Sequence, residues 1–222
     1  MIRVLAETTT MTTLPGWFDV TVMAVNGMLG AAVARSRNAL LLGTLLAAIL
    51  VGLGGGMVRD MLLGLEPVAI SSWVYLPAVI LGGLIGGLLF GRVLKRQRTF
   101  AVVQGLVLGF LVTIGAQKAL DYDAPVTSAV LLGVITGAVG GMLADLVMGQ
   151  RAVLSRQFHW IVLTLLAGAI VFVPIAIWVG FWPAVIACVV VATAVRTFSQ
   201  TRNWRPIRWP GQAVDAASPP GP

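Results

Sequence analysis

Long apolar runs separated by short polar breaks fill the chain from about residue 16 to about residue 199. Each run is close to or longer than the ~20 residues that a membrane-spanning helix needs. Most breaks contain charged residues, and a weaker break around Gly180 separates the last two runs. The pattern therefore predicts seven spans, at about 16–34, 39–65, 72–92, 100–120, 126–148, 157–177 and 181–199.

The composition supports an all-α integral membrane protein. Hydrophobic residues make up 58% of the 222 residues and charged residues only 10%, whereas about a quarter of a soluble domain is charged. A soluble enzyme, a disordered chain and a disulfide scaffold are excluded. We expect a single membrane domain over 16–199, a polar N-terminal tail over 1–15 that is no signal peptide, and a disordered tail over 200–222.

The basic residues are distributed unevenly between the two sets of loops. The chain has 15 Lys and Arg against 8 Asp and Glu, a net charge of +7. Twelve of the basic residues, Arg37 and Arg196 among them, fall on one side of the predicted spans, and only Arg3 and Lys118 on the other. This asymmetry predicts an outside N-terminus and a cytoplasmic C-terminus in the inner (plasma) membrane. It disfavours nucleic acid as a partner, while anionic lipid headgroups are expected at the basic loops.

An internal repeat relates the two halves of the chain. The segment that begins at Gly52, GLGGGMVRDMLL, matches the segment that begins at Gly137, GAVGGMLADLVM, at an offset of 85 residues. The two segments lie in spans 2 and 5, so spans 1–3 correspond to spans 4–6. Because three is an odd number, the second set of spans must enter the membrane in the opposite sense. We therefore expect inverted repeats at about 16–98 and 99–177, followed by a seventh helix at about 181–199.

The repeated segment combines glycines with charges inside a span. Gly54, Gly55, Gly56, Gly140 and Gly141 either allow close helix packing or kink a helix that lines a polar path. Their recurrence beside charges favours the second interpretation.

The charges beside these glycines are the candidate functional residues. Arg59 and Asp60 point about 100° apart on a helix, so each is expected to have its own partner on another helix or in water. Arg59 lies near the span end, so the alternative to a functional site is snorkelling to the interface or a structural ion pair. Asp19 is placed to meet Arg59, Asp145 lies at the opposite end, and Lys118 is either an interfacial anchor or a gate at the outer mouth.

Catalytic and cofactor motifs are missing from the sequence. His159 is the only histidine and Cys188 the only cysteine, so there is no catalytic triad, metal or haem site, or internal disulfide to expect. The triple glycine lacks the Gly-Lys-Ser/Thr ending of a phosphate-binding loop. We therefore predict no enzyme and no cofactor.

The stretch from Gly52 to Pro67, GLGGGMVRDMLLGLEP, resembles the GxGGGxxRDxxLxxxP signature of prokaryotic trimeric intracellular cation (TRIC) channels. Trp17-Phe-Asp19 and Gly115-Ala-Gln-Lys118 are similar to further family segments. The resemblance implies seven spans, a homotrimer with an ion pathway in each protomer, and permeability to potassium and other monovalent cations. It also implies that the glycines of spans 2 and 5 shape that pathway. Our own hypothesis adds that Asp19, Asp60 and Asp145 attract cations, while Arg59 and Lys118 modulate their entry.

The second repeat departs from the family signature. Val139, Ala144 and Ala152 replace a glycine, an arginine and a proline, and Gln104 stands where an aspartate is usual. The inner half of the site has thus lost an arginine and an acid. Two other functions remain open: a secondary transporter for a small zwitterion such as glycine, which suits inverted repeats and an Arg/Asp site, and a closed structural or regulatory membrane protein.

Overall fold

The computed structural model describes residues 15–95, 97–149 and 156–201. The predicted tails, 1–15 and 200–222, lie outside this part of the chain except for residues 15, 200 and 201. The described residues form helices and no strands. The long helices are α1 (Gly16–Ser36), α2 (Leu41–Leu62), α3 (Tyr75–Lys95), α4 (Gln97–Asp121), α5 (Val126–Val147), α6 (Arg156–Trp178) and α7 (Phe181–Thr201).

These helices coincide with the predicted spans, and every boundary agrees within three residues. Six of them, all but α3, are long and apolar enough to cross a membrane, and α3 contributes a shorter apolar stretch, Tyr75–Leu89. Large apolar side chains such as Leu42, Leu131 and Ile186 are exposed on the bundle surface. An exposed apolar surface of this kind is suited to lipid rather than water.

The helices pack as two groups of three, with α7 added to the second group. Within the first group α1 packs against α2 and α3, and within the second α4 packs against α5 and α6. The groups meet mainly where α2 crosses α5, and α7 lies against α4 and α6. One apolar core joins α1–α3 to α4, and another fills the space among α4–α7.

The chain reverses direction at residues with left-handed backbone. Asn38 and Asp123 have φ of 61° and 54°, and Gly64 and Gly149 have φ of 70° and 68°. Each pair is separated by 85 residues, the offset of the sequence repeat. Gly180, with φ of 127°, makes the break between α6 and α7, while α6 itself continues through Pro174 to Trp178.

The turn after α2 folds back over the end of that helix. Leu65 N–H donates to the Asp60 carbonyl (2.9 Å), and a one-turn helix, Val68–Ser71, follows Pro67. Proline suits the position just before such a turn because its φ is already fixed near the helical value. The turn therefore holds the N-terminal end of the short helix beside Asp60.

Candidate functional site

Arg59 and Asp60 form a buried ion pair at the end of α2. Arg59 Nε and Nη2 lie 2.8 and 2.7 Å from Asp60 Oδ1, and the side chains are 1% and 0% exposed. The expectation of separate partners is therefore wrong for Arg59, because its long side chain bends back onto its neighbour. Of the two alternatives, snorkelling is wrong because the guanidinium lies inside the bundle, whereas Arg59 does form an ion pair.

Asp60 connects both halves of the bundle. Lys118 Nζ, at the end of α4, donates to Asp60 Oδ1 at 2.8 Å, and its side chain is 24% exposed. The Val68 N–H donates to Asp60 Oδ2 at 3.2 Å, so the carboxylate also caps the one-turn helix. Charge-assisted bonds to a buried carboxylate are among the stronger hydrogen bonds in proteins. Asp60 therefore holds together α2, α4 and the intervening turn.

Asp19 lies beside this pair but has a different partner. Tyr75 Oη donates to Asp19 Oδ2 at 2.7 Å, and among the described residues no ion pair joins Asp19 to Arg59. Asp19 Oδ1 and Arg59 Nη1 are both buried without a hydrogen-bond partner in that part of the chain. We call Asp19, Arg59, Asp60, Tyr75 and Lys118 the Asp60 cluster. Its two acids and two bases give it a formal charge of zero.

The glycines of α2 and α5 lie where these helices cross. A Cβ on Gly55 would collide with the Thr136 carbonyl, and one on Gly54 would lie 3.3 Å from Gly140 Cα. A Cβ on Gly140 would lie 2.7 Å from the Leu50 carbonyl oxygen. The two helices remain helical through these residues. Gly54, Gly55 and Gly140 therefore allow close backbone contact at the centre of the bundle.

Gly55→Ala is expected to destabilise the protein by about 1–3 kcal/mol, because the added methyl group forces the helix crossing apart. Gly56→Ala is the matched control, since its Cβ would meet no atom closer than 3.5 Å. We expect thermal unfolding in detergent, followed by circular dichroism, to show a lower midpoint for Gly55→Ala only. Equal midpoints for the two variants would contradict the close contact.

A second group of polar residues lies at the opposite end of the bundle. Arg37 Nη1, just after α1, pairs with Asp145 Oδ1 of α5 at 2.6 Å, and the side chains are 32% and 21% exposed. They border a cavity of about 100 Å³ that extends to Gly137 and Gly141 and whose lining includes Asn26, Gln104 and Arg196. We call this the Asp145 cavity. The second repeat has Ala144 where the family signature has an arginine, and Arg37 instead provides the positive charge beside Asp145.

Arg196 is buried in the wall of this cavity. It is 1% exposed, and its Nε and Nη2 donate to Gln104 Oε1 at 2.8 and 2.6 Å. Counting Arg196 among the loop charges that set topology was therefore wrong. Arg37, although partly exposed, is likewise more than a loop charge, because it makes the ion pair across to α5. Among the described residues, no group of three or more His, Cys, Asp or Glu side chains could hold a metal ion.

One family model matches this chain in two segments. The model is described as "Glycine transporter", and it matches residues 16–90 and again residues 101–176. The chain belongs to this family.

Curated relatives of this glycine transporter family member are membrane proteins of the UPF0126 group. The inner membrane protein YadS of Escherichia coli is 28% identical over 145 residues, which cover 63% of this chain and 69% of YadS. YvgT of Bacillus subtilis is 25% identical over 178 residues, covering 79% of this chain and 87% of YvgT. With its six strongly apolar helices, the chain is a multi-pass inner membrane protein, and its relatives are membrane proteins rather than enzymes.

Solved structures with the same fold are TRIC channels. The TRIC orthologue of Rhodobacter sphaeroides is 29% identical, with a TM-score of 0.68 over 85% of this chain and 97% of its own. A structure that explains conductance through TRIC cation channels has a TM-score of 0.77 at 23% identity, over 90% of this chain and all of its own. The resemblance to prokaryotic TRIC channels is thereby confirmed, and the glycine transporter family member has their fold.

The sequence did not lead us to three polar residues of the Asp60 cluster and the Asp145 cavity in this glycine transporter family member: Asn26, Tyr75 and Arg196. Tyr75 and Asn26 gave no charge signal, although Asn26 Nδ2 donates to the Val51 carbonyl at 2.6 Å beside the helix crossing. Arg196 did give a signal, because it falls inside the predicted span 181–199. The rule that singled out Arg59, that a charge within a span marks a pair or a pathway, applies equally to Arg196.

Proposed function

We propose that this protein is a homotrimeric, potassium-permeable cation channel in which each protomer has its own pathway beside α2 and α5. The TRIC orthologue of Rhodobacter sphaeroides, described as a trimeric intracellular cation channel, supports this proposal through its 29% identity and shared fold. We further propose seven membrane spans, with the N-terminus outside and the Asp145 cavity on the cytoplasmic side, from the distribution of basic loop residues.

The single observation that carries the proposal is a reciprocal pair of ion pairs across the two halves. Asp60 of α2 accepts from Lys118 at the end of α4, and Asp145 of α5 accepts from Arg37 at the end of α1. Each acid lies at the end of a middle helix and takes its cation from the first helix of the other half. This exchange is the arrangement expected of inverted repeats, which commonly place a translocation site at their interface.

Two further observations support the repeat. The left-handed backbone positions recur at the 85-residue offset, and one family model matches both halves. On this basis the repeats cover about 16–98 and 99–177, with a seventh helix after them.

The proposed pathway begins at the Asp145 cavity. Gly141 and Gly137 line that cavity, and Gly137 lies about 12 Å along α5 from Asp145 at 1.5 Å per residue. Beyond it, the close crossing at Gly54, Gly55 and Gly140 narrows the space.

The Asp60 cluster is the proposed gate at the far end. Lys118 occupies the carboxylate that would otherwise attract a cation, and Arg59 binds the same oxygen from within α2. Of the two bases, only Lys118 is partly exposed, at 24% against 1% for Arg59, so we propose that Lys118 is the one that leaves. A permeating cation would take its place at Asp60, with Asp19 adding a second negative charge.

The alternative is a secondary transporter for glycine. The description of the family model favours it, and so do the unpartnered Asp19 Oδ1 and Arg59 Nη1, which match an ammonium and a carboxylate group. Against it, every other charge of the cluster is already paired within the protein.

Flux into proteoliposomes separates the two functions. We expect ⁸⁶Rb⁺ uptake that rises linearly with concentration over the millimolar range, together with no protein-dependent uptake of ³H-glycine. Protein-free liposomes give the background. Saturable glycine uptake without rubidium flux would support the transporter and overturn the channel.

A further inference from the structure

We propose that the Asp145 cavity binds a small monocarboxylate anion on the guanidinium of Arg196. The proposed cation pathway begins at this same cavity, and an anion on Arg196 would offset the positive charge that an entering cation meets there. The proposal rests on the charges that line the cavity and on how they are paired. The cavity lies among α1, α2, α4, α5, α6 and α7, and the partly exposed Arg37 and Asp145 side chains border it.

The charges of the lining leave one positive charge without a counter-ion. The charged lining residues are Arg37, Asp145 and Arg196. Arg37 and Asp145 neutralise each other at 2.6 Å. No carboxylate among the described residues lies within ion-pair distance of Arg196, whose described partner is the uncharged amide oxygen of Gln104. The cavity therefore has a net formal charge of +1, located on Arg196.

A buried guanidinium carries a positive charge that is stabilised only when a negative charge or acceptor lies beside it. Arginine stays protonated in proteins, so it cannot relieve an unfavourable site by losing its proton as lysine or histidine can. Burying an ion is costly unless the ion is paired. Arg196 is 1% exposed, and two of its five N–H groups are directed to Gln104. Arg196 also lines the cavity, so an anion bound in the cavity can pair with its guanidinium.

The geometry selects the class of anion. A guanidinium presents parallel N–H groups that match the two oxygens of a carboxylate. The cavity volume of about 100 Å³ accommodates a small carboxylate such as formate or acetate. A zwitterion such as glycine is disfavoured, because its ammonium group would compete with Arg37 for Asp145.

Acetate binding to the purified full-length protein tests the site. We would follow saturation transfer from the protein to the acetate methyl protons by NMR, at constant ionic strength adjusted with sodium chloride. Wild type should bind acetate saturably, and Arg196→Gln should weaken binding at least tenfold. Arg98→Gln, at an exposed position on α4, removes the same charge outside the cavity and should bind like wild type. Glycine should bind at least tenfold more weakly than acetate.

A second variant keeps the test valid if Arg196→Gln folds poorly. Gln104→Glu has nearly the same shape as wild type and places a carboxylate on Arg196, so it should abolish acetate binding while leaving the thermal unfolding midpoint unchanged or higher. Absence of saturable binding to wild type would overturn the proposal. So would wild-type affinity in folded Gln104→Glu, or an affinity for glycine equal to that for acetate.

Discussion

Asp60→Asn should reduce cation flux at least tenfold. The carboxylate is the one acceptor shared by Arg59 and Lys118, so its loss leaves two positive charges at the proposed gate against the single charge of Asp19. A unit charge about 4 Å from an ion contributes about 4 kcal/mol at an effective dielectric constant of 20. A third of that value already corresponds to about a tenfold change in rate. The measurement is initial ⁸⁶Rb⁺ uptake per reconstituted protein.

The same substitution should also lower stability. Removing one partner from a buried ion pair costs about 3–5 kcal/mol, because the remaining charge stays buried, and Arg59 is 1% exposed. Flux is therefore compared only for protein that elutes in the wild-type position on size exclusion. Asp121→Asn is the matched control: Asp121 lies at the same end of the bundle, accepts a hydrogen bond from Gln117 and lies outside the Asp60 cluster. Wild-type flux in folded Asp60→Asn would exclude Asp60 from the pathway.

Lys118→Gln should have the opposite effect and raise cation flux several-fold. It removes the partly exposed cation from Asp60, while Arg59 still neutralises part of the carboxylate charge. The fold should tolerate the change better than Asp60→Asn, because Arg59 keeps its partner. Flux is measured as ⁸⁶Rb⁺ uptake under the same conditions.

Lys118→Arg separates a charge effect from a packing effect. It retains the positive charge at the end of α4 and should keep flux near the wild-type value. If Lys118→Gln and Asp60→Asn lowered flux equally, a general loss of structure would explain both, and Lys118 would be an anchor rather than a gate.

Helix positions were predictable from the sequence because apolar runs of membrane length leave few alternatives. In a bilayer each backbone polar group must be satisfied within the protein, so a run such as 126–148 can only be a helix, and α5 follows it closely. The residues that follow the helices also fit their positions. Asn, Asp and Gly tolerate the left-handed backbone, and residues of these types, Asn38, Gly64, Asp123 and Gly149, have that backbone after four of the helices.

The pairing of charges was much less predictable. The sequence places Arg59 next to Asp60, but a helical-wheel argument considers only Cβ directions and misses a long side chain that bends back on its neighbour. Arg37 and Arg196 were assigned to topology because a charge count carries no information about which side chains turn inward. Their partners, Asp145 and Gln104, lie 108 and 92 residues away in the chain. Only tertiary packing determines contacts at that separation.

The glycines illustrate how one sequence feature has two structural meanings. Gly54, Gly55 and Gly140 allow a close crossing of continuous helices, whereas Gly141 faces open space in the Asp145 cavity. A run of glycines predicts that a backbone is accessible. Whether another helix or a cavity meets that backbone depends on the neighbour, which the sequence pattern does not specify.

Single-channel recording in planar bilayers tests the proposed function most directly. Purified wild-type protein is reconstituted between solutions of unequal potassium chloride concentration. We expect resolvable unitary currents that reverse near the potassium equilibrium potential, and Lys118→Gln should increase their open probability or amplitude. Failure to observe unitary current at any voltage, or reversal near the chloride potential, would contradict a cation channel.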